Sequence, residues 1–301
     1  MSEVHILSPR PVRTPVTYCM KKERFDFVFS LGSGCACSRM LRERGLQYAS
    51  FPLDWVGGIS FAHGAGEGVR RSAAIVAADF ADWLRAEDLE RATKYDSSRF
   101  DAYYNRRNGL YFTHDVPPGG DVAACLPRSL ETYRRRIDRF IARASASKSI
   151  LAVYVSDPRD PGEIGEDDVR TALASLRGRY PRAEVRLIVA GCKAGTPPER
   201  AEVFRGDGWE LMRFDYRAVT EGERTWDVRT ELFAPVLDRF EAVDYRTRAE
   251  KRANAKRERE RAYEKFRATS PLDLWLTRLR YKLYCHLRRK LERKGVLAPE
   301  G

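Results

Sequence analysis

The sequence predicts an α/β protein of three layers, a mostly parallel sheet with helices on both faces, followed by a basic helical extension at the C-terminus. Apolar runs rich in β-branched and aromatic residues alternate with amphipathic segments along the chain. The runs stay apolar at successive positions, as in 150–155, which is typical of parallel strands covered on both faces. Basic residues are concentrated beyond residue 245.

Each predicted strand is a short apolar run, and each predicted helix carries apolar residues at helical spacing. The predicted strands are 25–31, 109–114, 149–156, 184–190 and 210–214. The predicted helices are 36–44, 79–91, 127–146, 166–180 and 228–243. In the third helix, Tyr133, Ile137 and Phe140 recur every three or four residues. The fourth begins with Asp167 and Asp168, and carboxylates are favourable at a positive helix N-terminus.

The distribution of charge divides the chain. Residues 246–301 hold 18 Lys and Arg against 7 Asp and Glu, whereas residues 1–245 hold 37 against 36. We expect a loose leader over 1–23, broken by Pro9, Pro11 and Pro15, an α/β domain over 24–245 and a basic helical tail over 246–301. Because the excess charge belongs to the tail, it says little about the ligand of the domain.

The sequence predicts a cytoplasmic protein with reduced thiols. It contains no apolar run of transmembrane length and no apolar core of a signal peptide. Its six cysteines are scattered, without the paired spacing of a zinc site or the framework of a disulfide-rich fold. We therefore expect no disulfide, metal or cofactor.

Three chemically useful side chains follow predicted strands. Cys35 comes after the first strand and begins a predicted helix, His114 ends the second, and Asp157 follows the third. The carboxyl ends of parallel strands meet at one edge of a sheet, where ligands bind. A thiol at a helix N-terminus is biased toward thiolate, and a cysteine nucleophile needs a base, usually histidine. The placement predicts Cys35 as nucleophile and His114 as base.

The group that would orient the base stays open among Asp54, Asp115 and Asp157. Asp115 is expected on the face of its strand opposite to the histidine. Asp54 could instead cap the segment that follows it. The turn Gly32-Ser33-Gly34 could present backbone N–H groups to an oxyanion.

Other reactive or charged residues have simpler interpretations. Cys37 lies on a different helix face from the candidate nucleophile and is expected to pack in the core. His63, in a glycine-rich stretch, ranks behind the strand-end histidine. Arg134 and Arg135 could contact phosphate or carboxylate groups of a substrate, although solvated arginines are the commoner case.

Four segments in order carry a resemblance to a known family. They are Ser30-Leu31-Gly32-Ser33-Gly34-Cys35, Pro52-Leu53-Asp54-Trp55, Phe112-Thr113-His114-Asp115 and the helical segment 133–140. Together with the strand at 151–155 they resemble a bacterial family of uncharacterised proteins described as papain-like cysteine peptidases, over residues 25–215. Leu53 stands where that family has an aromatic residue. The resemblance implies a cysteine-dependent hydrolase or acyl-transfer enzyme, with Cys35 as nucleophile and His114 as base.

Two other function classes stay open. Members of that family also resemble proteins of surface-polysaccharide assembly, which implies an accessory or transferase protein that binds a phosphosugar or glycan. More weakly, Gly32 and Gly34 match the first two glycines of a nucleotide- or S-adenosylmethionine-binding loop, as in methyltransferases, but Ala36 replaces the third. The expected substrate is therefore a small molecule, a peptide or a glycan.

The tail contains one strongly amphipathic segment. Over 272–291, an apolar stripe runs between Lys and Arg residues; its members are Leu272, Trp275, Leu276, Leu279, Leu283, Tyr284, Leu287 and Leu291. Such a helix can lie on an anionic membrane surface, here the inner membrane face, or pack against its own domain or a partner helix. We expect no nucleic-acid partner, because a basic run without a binding motif is only an electrostatic footprint.

Overall fold

The fold is mixed α/β, and the computed structural model describes residues 21–58, 63–218, 228–268 and 274–293. The strands are β1 (Glu23–Phe25), β2 (Phe27–Gly32), β3 (Val56–Gly57), β4 (Leu89–Arg91), β5 (Asp101–Asn105), β6 (Tyr111–Val116), β7 (Ser149–Val155), β8 (Glu184–Cys192), β9 (Glu202–Gly206), β10 (Trp209–Phe214) and β11 (Phe240–Ala242). The helices are α1 (Gly34–Glu43), α2 (Ala65–Ala77), α3 (Val122–Ala146), α4 (Glu166–Arg179), α5 (Ala234–Leu237), α6 (Arg248–Ala268) and α7 (Leu274–Arg293).

The most apolar runs of the chain form a five-stranded sheet in the order β2-β7-β8-β10-β9. Strands β2, β7, β8 and β10 are parallel to their neighbours, and β9 is antiparallel at the edge. All six residues of β2 are buried, as parallel strands covered on both faces require.

Successive residues of the central strands contribute to two separate apolar clusters. In β7, Ala152 and Tyr154 belong to one cluster, while Leu151, Val153 and Val155 belong to the other. Helices α2 and α4 pack on the first cluster and α1 packs on the second. The side-chain alternation of a strand explains this division.

A second, antiparallel sheet has the order β3-β6-β5-β4. The predicted strand 109–114 corresponds to β6 of this sheet, so its placement in the parallel sheet was wrong. Asn105 closes the β5–β6 turn, because its buried side-chain oxygen accepts the N–H groups of Arg107 (3.0 Å) and Asn108 (3.2 Å). A tight connection of this kind pairs neighbouring strands antiparallel.

Two predicted helices are also wrong. Residues 79–91 form turns and β4, because Asp79, Phe80 and Asp82 adopt left-handed backbone conformations, with φ between 53° and 59°. The helix of this region is instead α2. Of residues 228–243 only the short α5 is α-helical, and β11 pairs in parallel with β1. The predicted helices at 36–44, 127–146 and 166–180 are confirmed as α1, α3 and α4, with slightly shifted ends.

The basic tail contains α6 and α7. A capping box starts α6: Thr247 Oγ1 accepts the Glu250 N–H (3.1 Å) and the Glu250 carboxylate accepts the Thr247 N–H (2.7 Å). Of the expected leader 1–23, residues 1–20 lie outside the described residues. Among the helices of the described ranges, none is both long enough and apolar enough to cross a bilayer.

Candidate functional site

Cys35 lies at the junction between β2 and α1. The strand ends at Gly32, and Cys35 is the second residue of the helix. Gly34 adopts φ +69°, which a side chain would disfavour, so the glycine permits the abrupt change from strand to helix. Of the five cysteines in the described ranges, only Cys35 is exposed. The structure therefore presents this thiol to solvent at a helix N-terminus.

Cys37 has the opposite character, as predicted. It is fully buried, and its Sγ donates a hydrogen bond to the Val153 carbonyl (3.2 Å). Burial raises the pKa of the Cys37 thiol to about 12. A thiol held neutral in the core is not a nucleophile at neutral pH.

In the Gly32-Ser33-Gly34 turn, two of the three N–H groups are not available to an oxyanion. The Gly32 N–H donates to Ser30 Oγ (3.2 Å). The Ser33 N–H donates to the Val155 carbonyl (2.8 Å), which extends the β2–β7 pairing and occupies that donor. The first-turn N–H groups of α1, on Gly34, Cys35 and Ala36, have no acceptor within the helix. Any anion held here would therefore be held by these three groups, beside the buried Ser33 hydroxyl, which has no hydrogen-bond partner.

His114 lies on β6 between two aromatic side chains. Its ring centroid is 6.2 Å from that of Trp55 and 5.5 Å from that of Phe100, both edge-on. Partial burial lowers the pKa of His114, Asp115 opposes that effect, and Arg99 adds to it. The lowered pKa favours the neutral imidazole, which is the form that can accept a proton.

A series of contacts connects Cys35 to His114. The Ser38 hydroxyl lies 3.2 Å from the Cys35 carbonyl and 3.3 Å from the Asp54 carbonyl. Trp55 follows Asp54, and its ring packs against His114. Helix α1 and strand β6 are thus connected through the segment Pro52–Trp55, a short 3₁₀ turn.

Asp54 is the centre of a buried polar network. Its Oδ2 accepts from Arg42 (2.6 Å), Gln47 (2.7 Å) and the Phe51 N–H (2.9 Å). The Phe51 contact caps the 3₁₀ turn that itself contains Asp54, whereas the sequence suggested a cap for the segment that follows Asp54. Burial raises the pKa of Asp54 to about 6, against the opposing effect of Arg42. The network fixes the turn that carries Trp55.

Asp115 and Asp157 are also engaged elsewhere. Asp115 accepts a hydrogen bond from the Tyr133 hydroxyl (3.1 Å), and burial raises its pKa. Asp157 follows β7 as predicted, but its carboxylate makes a bidentate pair with Arg159 (2.7 Å for each bond). In the described ranges, none of the three candidate carboxylates hydrogen-bonds His114, so no orienting acid is assigned.

A cavity of about 600 Å³ lies beyond the ends of the parallel strands, and the sequence did not suggest it. Arg159, Arg217 and Arg229 line it, together with Asp215 and Pro198. Asp215 forms a bidentate pair with Arg217 (2.9 and 2.6 Å), which holds the pKa of Asp215 well below its usual range. Arginines fixed by carboxylates in this way keep their orientation, which suits recognition of an anionic ligand.

Other predicted residues lie away from this region or make no specific contact. His63 is exposed and lines a separate open cleft at the start of α2. Arg134 and Arg135 are exposed on α3, the solvated alternative considered for them. Within the described part of the chain, no group of three or more His, Cys, Asp or Glu side chains is placed to hold a metal ion.

Trp55 and Arg42 are the site residues that sequence reasoning missed. The Arg42 guanidinium lies 5.3 Å from the centroid of the Trp55 ring. The same ring makes an edge-on contact with His114, so Trp55 contacts both residues. The signal that could have found Trp55 is its position directly after Asp54 in the Pro-x-Asp-Trp segment.

Comparisons of the chain with protein-family models, with curated proteins and with solved structures find no match.

Proposed function

We propose that the protein is a cysteine-dependent hydrolase or acyl-transfer enzyme of papain-like type, with Cys35 as nucleophile and His114 as base. The observation that carries this proposal is the exposed thiol in the first turn of α1, connected through Pro52–Trp55 to His114. Partial positive charge at the helix N-terminus favours the thiolate.

The chemistry that this arrangement supports is acyl transfer. The Cys35 thiolate would attack a carbonyl carbon, and the electron pair would move to the carbonyl oxygen, near the first N–H groups of α1. The leaving group would depart with the proton that His114 took from the thiol, leaving a thioester. Water, deprotonated by His114, would then attack the thioester and release the acid and the thiolate.

Alkylation of Cys35 at pH 7 tests the proposal. With iodoacetamide and peptide mass spectrometry, we expect Cys35 to react faster than the half-buried Cys125 and Cys192. His114→Ala should slow the reaction of Cys35 several-fold. His63→Ala, which removes an exposed histidine from another element, is the matched control and should not change the rate. A Cys35 alkylation rate that is unaffected by His114→Ala would contradict the proposed pair.

A second candidate function, binding of a phosphosugar or sugar acid in surface-polysaccharide assembly, is favoured by the arginine-lined cavity. Three arginines, each paired with a carboxylate, line a volume sufficient for a sugar phosphate. Calorimetry with glucose 1-phosphate, with glucose as the neutral control, tests it. Arg217→Gln combined with Arg229→Gln should weaken binding of the phosphate at least tenfold, whereas the exposed Arg205→Gln should not. Equal binding of glucose and its phosphate would refute this function.

We also propose that the central sheet and the helices on its two faces form a three-layer arrangement. Its support is the alternation of β7 residues between two clusters, one shared with α2 and α4 and the other with α1.

A further inference from the structure

Helix α7 exposes a continuous row of leucines. Leu279, Leu283, Leu287 and Leu291 are 53%, 57%, 49% and 38% exposed. They recur every four residues, so they advance about 40° at each step and span about 120° of the helix surface. We call these four side chains the leucine face. Exposed apolar rows of this kind mark surfaces that bind something.

The neighbouring helix covers a different side of α7. Tyr281 contacts Tyr263 of α6, with ring centroids 5.5 Å apart. The half-buried residues of this part of α7 are Tyr281, Cys285 and Arg288. Cys285 lies about 180° around the helix from the middle of the leucine face. Helix α6 therefore packs behind α7 and leaves the leucine face open.

Basic side chains border the leucine face on both sides. Lys282 and Arg288 each lie about 60° beyond one edge of it. Lys282, Arg289 and Lys290 are exposed, and α7 as a whole has seven Lys and Arg against one Glu. Long basic side chains can hold their charges at the level of lipid headgroups while an apolar face enters the acyl region.

We propose that α7 binds the surface of an anionic phospholipid bilayer, with the leucine face toward the acyl chains. Charge complementarity favours an anionic bilayer over a second copy of the chain as the partner of α7. Pairing two α7 helices would place the seven Lys and Arg residues of one helix against the seven of the other. The spacing also argues against a coiled coil: a repeat of four drifts around the helix, whereas a coiled-coil seam repeats every 3.5 residues on average. This proposal is independent of the proposed enzymatic function.

Sedimentation of the full chain with vesicles tests the proposal. We expect binding to vesicles of phosphatidylcholine and phosphatidylglycerol, and at least tenfold weaker binding to phosphatidylcholine alone. Leu283→Asp combined with Leu287→Asp should weaken binding to the anionic vesicles at least tenfold. Ala253→Asp combined with Ala255→Asp adds the same two charges to exposed positions of α6 and should change binding less than threefold.

Three outcomes would overturn the proposal. The first is that the full chain does not bind anionic vesicles. The second is that the two leucine substitutions leave binding unchanged although circular dichroism shows that helix content is retained. The third is that the chain does not bind vesicles and light scattering finds a dimer that the leucine substitutions dissociate. In that case the leucine face is a subunit interface.

Discussion

At the scale of single residues, buried Asp54 makes the stability of the fold depend on pH. Burial raises the pKa of Asp54 in the folded protein to about 6, from an ordinary value of 3.8. Between these values the folded state binds more protons than the unfolded state, so stability falls as pH rises through this window. The free energy of unfolding should therefore drop by about 2 kcal/mol from pH 4 to pH 7 because of this group.

Denaturant unfolding at several pH values checks this prediction. Asp54→Asn cannot titrate, so it should remove most of this pH dependence. Asp244→Asn is a control of opposite sign: Arg246 lowers the pKa of Asp244, which makes its contribution disappear only as pH falls into the acid range. If wild type and Asp54→Asn have the same pH dependence between 4 and 7, Asp54 is not the titrating group.

At the scale of elements, the α2–α4 contact depends on the absence of a side chain at Gly66. A Cβ at Gly66 would lie 2.2 Å from Asp168 Oδ2, the atom that accepts the Gly165 N–H (2.8 Å) at the start of α4. Gly66→Ala should therefore destabilise the protein by about 1–3 kcal/mol, despite the better helix propensity of alanine.

Gly178 provides the matched comparison. It lies within α4, and a Cβ there would meet no atom within 4 Å. Gly178→Ala should therefore stabilise the protein by up to about 1 kcal/mol, since alanine lowers the conformational entropy of the unfolded chain. Thermal unfolding of the two variants measures both effects, and the same sign of change for both would refute the argument from close approach.

The elements also indicate what sequence reasoning could predict. Strands β7 and β8 and helices α3 and α4 have long, regular apolar patterns, and their positions were predicted to within a few residues. The turn after α2 could not be predicted, because the left-handed conformations of Asp79 and Phe80 depend on tertiary packing; Phe80, for example, packs edge-on against Phe140. Strand β6 was identified, but its sheet was not, because strand partners are non-local and leave little trace in the sequence.

The candidate site was likewise predictable from the sequence only in part. The positions of Cys35 after β2 and of Asp157 after β7 follow from strand ends and were predictable. The engagement of Asp54 by Arg42 and of His114 by Trp55 depends on side chains that are distant in the sequence and meet only in the fold.

At the scale of the whole molecule, the two apolar clusters separate the domain from the tail. Among the described residues, their buried members end at Ala242, and Tyr245 is the last residue packed against them. A chain truncated after Thr247 should therefore unfold at a temperature within a few degrees of the full chain, because the described side chains of the removed helices contribute no buried cluster residue. Differential scanning calorimetry checks this expectation. A fall of more than about 10 °C, which corresponds to several kcal/mol in a domain of this size, would mean that the tail is part of the core.

The long connection between β2 and β7 has a consequence for the order of folding. These two strands are neighbours in the sheet, yet Phe27 pairs with Ile150, more than a hundred residues away. By contrast, β7, α4 and β8 are consecutive and close only a short crossover. Loop-closure entropy makes distant pairings slow, so we expect the β7–α4–β8 unit to form first and β2 to join it late. Since Cys35 and His114 both lie within that connection, chemical competence at the site should appear among the last events of folding.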